Sequence, residues 1–151
     1  MKLAEALLLR AESKKKLESL HHRILANIKV QDNDKPHENP QTLIDEAFEL
    51  SGQLCTLIKQ INACNNATKL TNGQTLSEAI VERDMLIKKR NILASIAAKA
   101  LEKDYRLTHT EVKMNTVVSV QDIQKQIDTL SKQFRELDTQ IQSMNWNTDL
   151  L

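Results

Sequence analysis

The sequence predicts an all-α fold, an antiparallel four-helix bundle with long coiled-coil-like helices, on three observations. Only two Gly and two Pro occur among 151 residues, whereas a sandwich, barrel or Rossmann fold needs many glycine-containing turns. Two segments carry apolar residues in an unbroken alternation of 3 and 4, which lines one face of a helix. Capping signals then divide the chain into four stretches, each long enough for a bundle helix of roughly 35–40 Å at 1.5 Å per residue.

The first helix, near residues 2–26, begins in MKLAEALLLR. Its LLLR resembles the start of an apolar export signal, but Glu5 and Arg10 bracket only four apolar residues, and a signal needs roughly 7–15. Stepping along Leu3, Ala6, Arg10, Ser13, Leu17, Leu20 and Ile24 instead gives a seam that contains the arginine. The second helix, near 40–64, repeats Leu43, Ala47, Leu50, Leu54, Leu57, Ile61 and Cys64. A neighbouring row of Ile44, Phe48, Cys55 and Ile58 widens that face, as a bundle helix with more than one neighbour requires. Asn39 before Pro40 is an N-cap followed by proline at the first helical position, where a missing N–H does no harm.

The third helix, near 76–103, starts at a capping box, Thr75 to Glu78, just after the turn TNGQ. Its seam of Leu76, Ala79, Leu86, Leu93 and Ala97 admits Arg83 and Arg90. The fourth, near 120–145, has a complete seam from Ile123 through Ile127, Leu130, Phe134, Leu137 and Ile141 to Met144. Such strict spacing is the pattern of knobs-into-holes packing. A weaker box runs from Ser119 to Asp122, with Val118 and Ile123 as a hydrophobic staple.

The connections 27–39 and 104–119 share one end of an up-down bundle. Ile28 and Val30 in one, and Val112, Met114, Thr116 and Val118 in the other, alternate as strands do. A small β cap is therefore expected at that end, built from the two connections or from neighbouring chains. The whole of 1–151 is read as one helical domain.

Net charge is +1, from 21 basic and 20 acidic residues, so no global field favours nucleic acid or anionic lipid. The charge is uneven locally: residues 1–31 hold seven basic and three acidic residues, and 32–50 hold one basic and six acidic. Four aromatics, Phe48, Tyr105, Phe134 and Trp146, are too few for a base-stacking platform. The basic runs at 14–16 and 88–90 lie on helices also rich in acids and read as solvated faces. No stretch approaches a membrane span of roughly 18–20 apolar residues, which makes a cytoplasmic location the expectation. Cys55 and Cys64 stand nine residues apart on one helix, too far for a bridge.

Three stretches, MKLAEALLLRA, INACNNATKLTNGQTLSEAIVERD and IQSMNWNTDLL, resemble the septicolysin-like family of small bacterial proteins. The chain departs from that family's pattern at Ala63 and around Leu107 to His109, where basic residues are more usual. The resemblance implies a helical bacterial protein, and its name implies a cytolysin. It carries over no catalytic or binding residue.

Candidate sites follow from the seams. An arginine drawn out of water needs a carboxylate, since an isolated buried charge is very costly. Arg10, Arg83 and Arg90, with Asp84, Asp128 and Asp138, are the candidate buried polar network. The alternative is an arginine whose stem packs while its head snorkels to solvent. On the connections, His37, Glu38, His109 and Glu111 offer imidazole and carboxylate, with Asp32 and Asp34 nearby. A divalent metal could use such groups, yet no fixed ligand spacing supports it, and neither metal nor cofactor is expected. His21-His22 reads as a surface pair, and no P-loop, GxSxG, HExxH or Rossmann glycine pattern occurs. The function expected is thus non-enzymatic association, first as a homo-oligomer. A membrane-active cytolysin is the alternative that the family name supplies, and a metal-dependent activity at the connection end comes third.

Overall fold

The computed structural model describes residues 1–103 and 112–151. Its helices are α1 (Leu3–Ala26), α2 (Pro40–Ala67), α3 (Leu76–Leu101) and α4 (Val120–Asn147). The fold is all-α and of the helical-bundle kind; α2, α3 and α4 start where their capping signals place them, and α1 starts within a residue of its expected bound. Asn39 caps α2 by accepting from the backbone N–H of Gln41 at 2.9 Å and of Thr42 at 3.4 Å. Ser119 Oγ accepts from the Asp122 N–H at 3.3 Å ahead of α4.

The chain divides into two compact units, Met1–Ser77 with Gln142–Leu151, and Glu78–Ile141. In the first unit α1 and α2 run antiparallel around Leu20, Leu43 and Ala47, against which Leu17, Ile24 and Leu50 pack. Burying one such leucine contributes roughly 1.5–3 kcal/mol, so this cluster holds the pair together. The seam of α2 is well buried: of its seven residues only Leu50 is not buried. The neighbouring row is not covered in the same way, since Phe48 and Cys55 are exposed.

The same unit contains both chain ends. The Leu3 N–H donates to the Thr148 carbonyl and the Leu150 N–H to that of Met1, each at 2.9 Å. Lys2 Nζ lies 2.8 Å from Asp149 and holds its carboxyl below the ordinary range. Between α2 and α3 a tight turn closes with the Leu76 N–H on the Thr68 carbonyl at 2.8 Å. Gly73 sits there at φ +87°, the left-handed region that glycine enters without a Cβ clash.

In the second unit α3 and α4 are also antiparallel. Arg83 meets Asp138 near one end, and Thr116 donates to the Ala100 carbonyl near the other. Ala79, Ala97, Ile123 and Ile141 are buried, while the middle of the α4 seam, Ile127 to Leu137, is half-buried.

The expected β cap is not formed among the described residues. Among the described residues the only β pairings are isolated bridges, Lys2 with Asp149 and Lys69 with Thr75. Ile28, Val30, Val112, Met114 and Val118 are all exposed without a ladder. Alternation over so few residues offers an edge but supplies no strand to pair with it. The connection 27–39 is held instead by side chains. Asn27 is buried, donates to the Arg23 carbonyl at 2.8 Å, and accepts from the Glu38 N–H at 3.0 Å. Residues 104–111 of the other connection, including His109 and Glu111, lie outside the described residues.

Candidate functional site

The three seam arginines have different surroundings. Arg83, on the second turn of α3, sends Nη1 to Asp138 of α4 at 2.9 Å and Nη2 to its neighbour Asp84 at 3.1 Å. This is the Arg–Asp contact that the seam requires, and it is partly covered: the side chains of Arg83 and Asp138 are 23% and 32% exposed. Among the described residues the rest of the expected network does not assemble. Arg90 is half-buried and its guanidinium reaches the Asn91 side chain at 3.5 Å. Asp128 accepts from Gln124 at 3.1 Å, one turn earlier on its own helix. Arg10 is half-buried in the other unit, without an ion pair among the described residues. An arginine's long stem can pack at a seam while its head reaches water, so a carboxylate is not needed there.

A contact that seam reasoning does not reach is the pairing of Arg23 with Glu38. The guanidinium donates through Nε at 3.0 Å and through Nη2 to the second carboxylate oxygen. This two-point hydrogen bond holds Glu38 below the ordinary carboxylate range and raises Arg23. Glu38 is therefore engaged structurally, while His37, Asp32 and Asp34 are exposed around it. Among the described residues no three His, Cys, Asp or Glu side chains gather as a metal site would require. Both thiols are free, Cys55 exposed and Cys64 buried.

What the structure does present is groove surface on each helix pair. Between α1 and α2 a groove of about 530 Å³ is lined by apolar Leu17, Ile24 and Phe48 together with Lys14, Glu18 and His21. Between α3 and α4 a second groove of about 530 Å³ has apolar Ile92, Leu93 and Leu130 with Lys89 and Lys125. Grooves of this kind, apolar with a charged margin, accept an amphipathic helix. Phe48 is the residue that sequence reasoning misplaces. Its row was expected to be buried, yet its ring is 75% exposed beside the first groove.

No helix among the described residues is long and apolar enough to cross a membrane. A family model described as a family of unknown function, DUF6847, matches residues 10–150. No curated protein matches the chain. One solved structure, a functionally unknown conserved protein from Corynebacterium diphtheriae, is similar over 100% of this chain and 99% of that chain, at 35% identity and a TM-score of 0.93. These findings overturn the resemblance to septicolysin-like proteins, because the matching family and the similar structure are both described as of unknown function and neither points to that family. The membrane-active alternative drew its motive from that name and is not carried forward.

Proposed function

Since the chain belongs to this family of unknown function, we propose its role from its own surface: a non-enzymatic helical protein that acts by association, first with copies of itself. The observation that carries this reading is the set of large apolar side chains its helices leave in solvent. On α3 Val81, Met85, Ile92 and Ile96 are all exposed, at spacings of 4, 7 and 4 that place them in one stripe. On α2 Phe48 adds an exposed aromatic beside a groove. Single exposed apolar residues are ordinary, but contiguous ones mark interaction surfaces.

Acids and bases are interspersed on the helices, which favours a protein partner over nucleic acid or an anionic bilayer. A cytoplasmic setting suits an exposed free thiol at Cys55, since a reducing compartment keeps it from cross-linking. Sedimentation velocity across a concentration series from about 1 to 100 µM tests the reading, that range bracketing the affinities typical of specific association. A mass that rises above the 17.2 kDa of the chain is expected. A strict monomer throughout refutes it.

A further inference from the structure

We propose that one exposed stripe of α1, formed by Leu7, Ala11, Lys14, Glu18, His21 and Leu25, is a two-fold interface that packs antiparallel against the same stripe of a second copy. The proposal rests on the self-association reading above and names the surface that would carry it.

The stripe lies about a quarter turn around α1 from the seam of Leu3, Ala6, Leu17, Leu20 and Ile24 that faces its own unit. Its spacing is 4-3-4-3-4, which reads the same from either end. A two-fold axis midway between Lys14 and Glu18 therefore sets each residue against a defined residue of the second copy. Leu7 faces the second copy's Leu25, Ala11 faces its His21, and Lys14 faces its Glu18. Every pairing occurs twice, as an isologous interface requires. Apolar pairs stand at both ends, a small side chain leaves room for each imidazole, and opposite charges meet at the centre.

The stripe is available for this. Leu25 is 54% exposed, Ala11, Lys14, Glu18 and His21 are exposed, and Leu7 is half-exposed. Lys14 has no ion pair among the described residues, and Glu18 has only His22 Nε2 at 4.0 Å. The stripe spans roughly 27 Å of helix at 1.5 Å per residue. Phe48 borders the groove lined by Lys14, Glu18 and His21, so a second copy seated there would also cover an exposed aromatic, the kind of side chain that anchors interfaces.

Charge decides between the two grooves. The one between α3 and α4 has Lys89 and Lys125 in its lining and no carboxylate. A two-fold across it would set lysine against lysine, and like charges brought together oppose association. The α1 stripe has one charge of each sign, a turn apart, and is complementary to itself.

Charge reversal tests this directly, because all the positions are exposed and the variants keep their helices, which circular dichroism checks. Dimer affinity is measured by sedimentation for wild type, Lys14→Glu, Glu18→Lys and the double reversal, with Lys89→Glu as a control on the other groove. Each single reversal creates two like-charge contacts per dimer and is expected to weaken association by roughly tenfold or more. The double reversal restores the affinity, and Lys89→Glu leaves it unchanged. Leu25→Asp and Phe48→Asp, at the ends and flank, weaken it as well. If wild type dimerises but none of these α1 and Phe48 changes weakens it, or the double reversal does not recover, this interface is overturned while self-association stands. A wild type that stays monomeric overturns both.

Discussion

Replacing Arg83 by methionine keeps the apolar stem and removes a head group that joins α3 to α4 through an ion pair. The loss can be bracketed. Breaking a fully buried pair costs about 3–5 kcal/mol, and breaking an exposed one costs about 0–1 kcal/mol. Here the two side chains are 23% and 32% exposed, so the cost falls between those limits. The 2.9 Å contact is a charge-assisted hydrogen bond, for which about 1.5–3 kcal/mol is typical. We expect a loss of about 2 kcal/mol, which for a chain of this size lowers the thermal midpoint by about 4–8 °C. Asp138→Asn alone should cost less, and the double variant should cost about 1 kcal/mol less than the sum of the singles, since both singles remove the same contact. Arg10→Met, with no carboxylate to strand, should cost only about 0–1 kcal/mol. Thermal unfolding followed by circular dichroism measures all four variants. Equal losses for Arg10→Met and Arg83→Met, or independent effects at Arg83 and Asp138, would refute the reasoning.

Ile61 is fully buried on α2, and Ile61→Ala should cost about 3–4 kcal/mol through lost burial and a residual cavity, read as a lower midpoint in urea. A loss below about 1 kcal/mol would mean the site is far less packed than its burial indicates. Gly73→Ala meets no atom within 4 Å of the added Cβ, so its cost is the left-handed backbone alone, about 1–2 kcal/mol by the same denaturation. The carboxyls of Glu38 and Asp149 are held low by Arg23 and Lys2, so each contributes stability above the ordinary carboxylate range that is lost as pH falls through its lowered pKa. Glu38→Gln should therefore lose less stability than wild type on acidification from about pH 6 to about pH 2. An identical acid limb in the two proteins would contradict the Arg23–Glu38 account.

Periodicity made the helices legible, and it did so because burial repeats with the helix. Leu43, Leu54, Leu57 and Ile61 are buried because a 3.5-residue repeat keeps them on the side of α2 that meets its neighbours. Asn39 and Pro40 were legible because a cap is a local arrangement, complete within four residues. Pairing across the fold is different in kind. Arg83 has Asp138 at hand and Arg10 has no carboxylate among the described residues, yet both occupy equivalent seam positions in the sequence. Nothing in the spacing of a seam states which residue faces it from another helix. The Arg23–Glu38 clasp and the meeting of Lys2 with Asp149 escape for the same reason, since each depends on where a connection or a chain end returns. The β cap failed on the opposite ground: alternation is a local signal, but a strand needs a partner that the local sequence cannot supply.

The run Leu7-Leu8-Leu9-Arg10 shows how far one short stretch can be divided by geometry. Successive helical residues turn by about 100°, so four in a row point to different sides of α1. Arg10 falls on the seam, half-buried, without an ion pair among the described residues. Leu8 and Leu9 remain 58% and 41% exposed, and Leu7 belongs to the stripe assigned above to a second copy. Three leucines that resemble an uninterrupted apolar core in the sequence thus have separate surroundings on the helix. Their exposure is a liability for an isolated chain and an asset for an assembling one, because apolar area left in water near room temperature is free energy that association can recover.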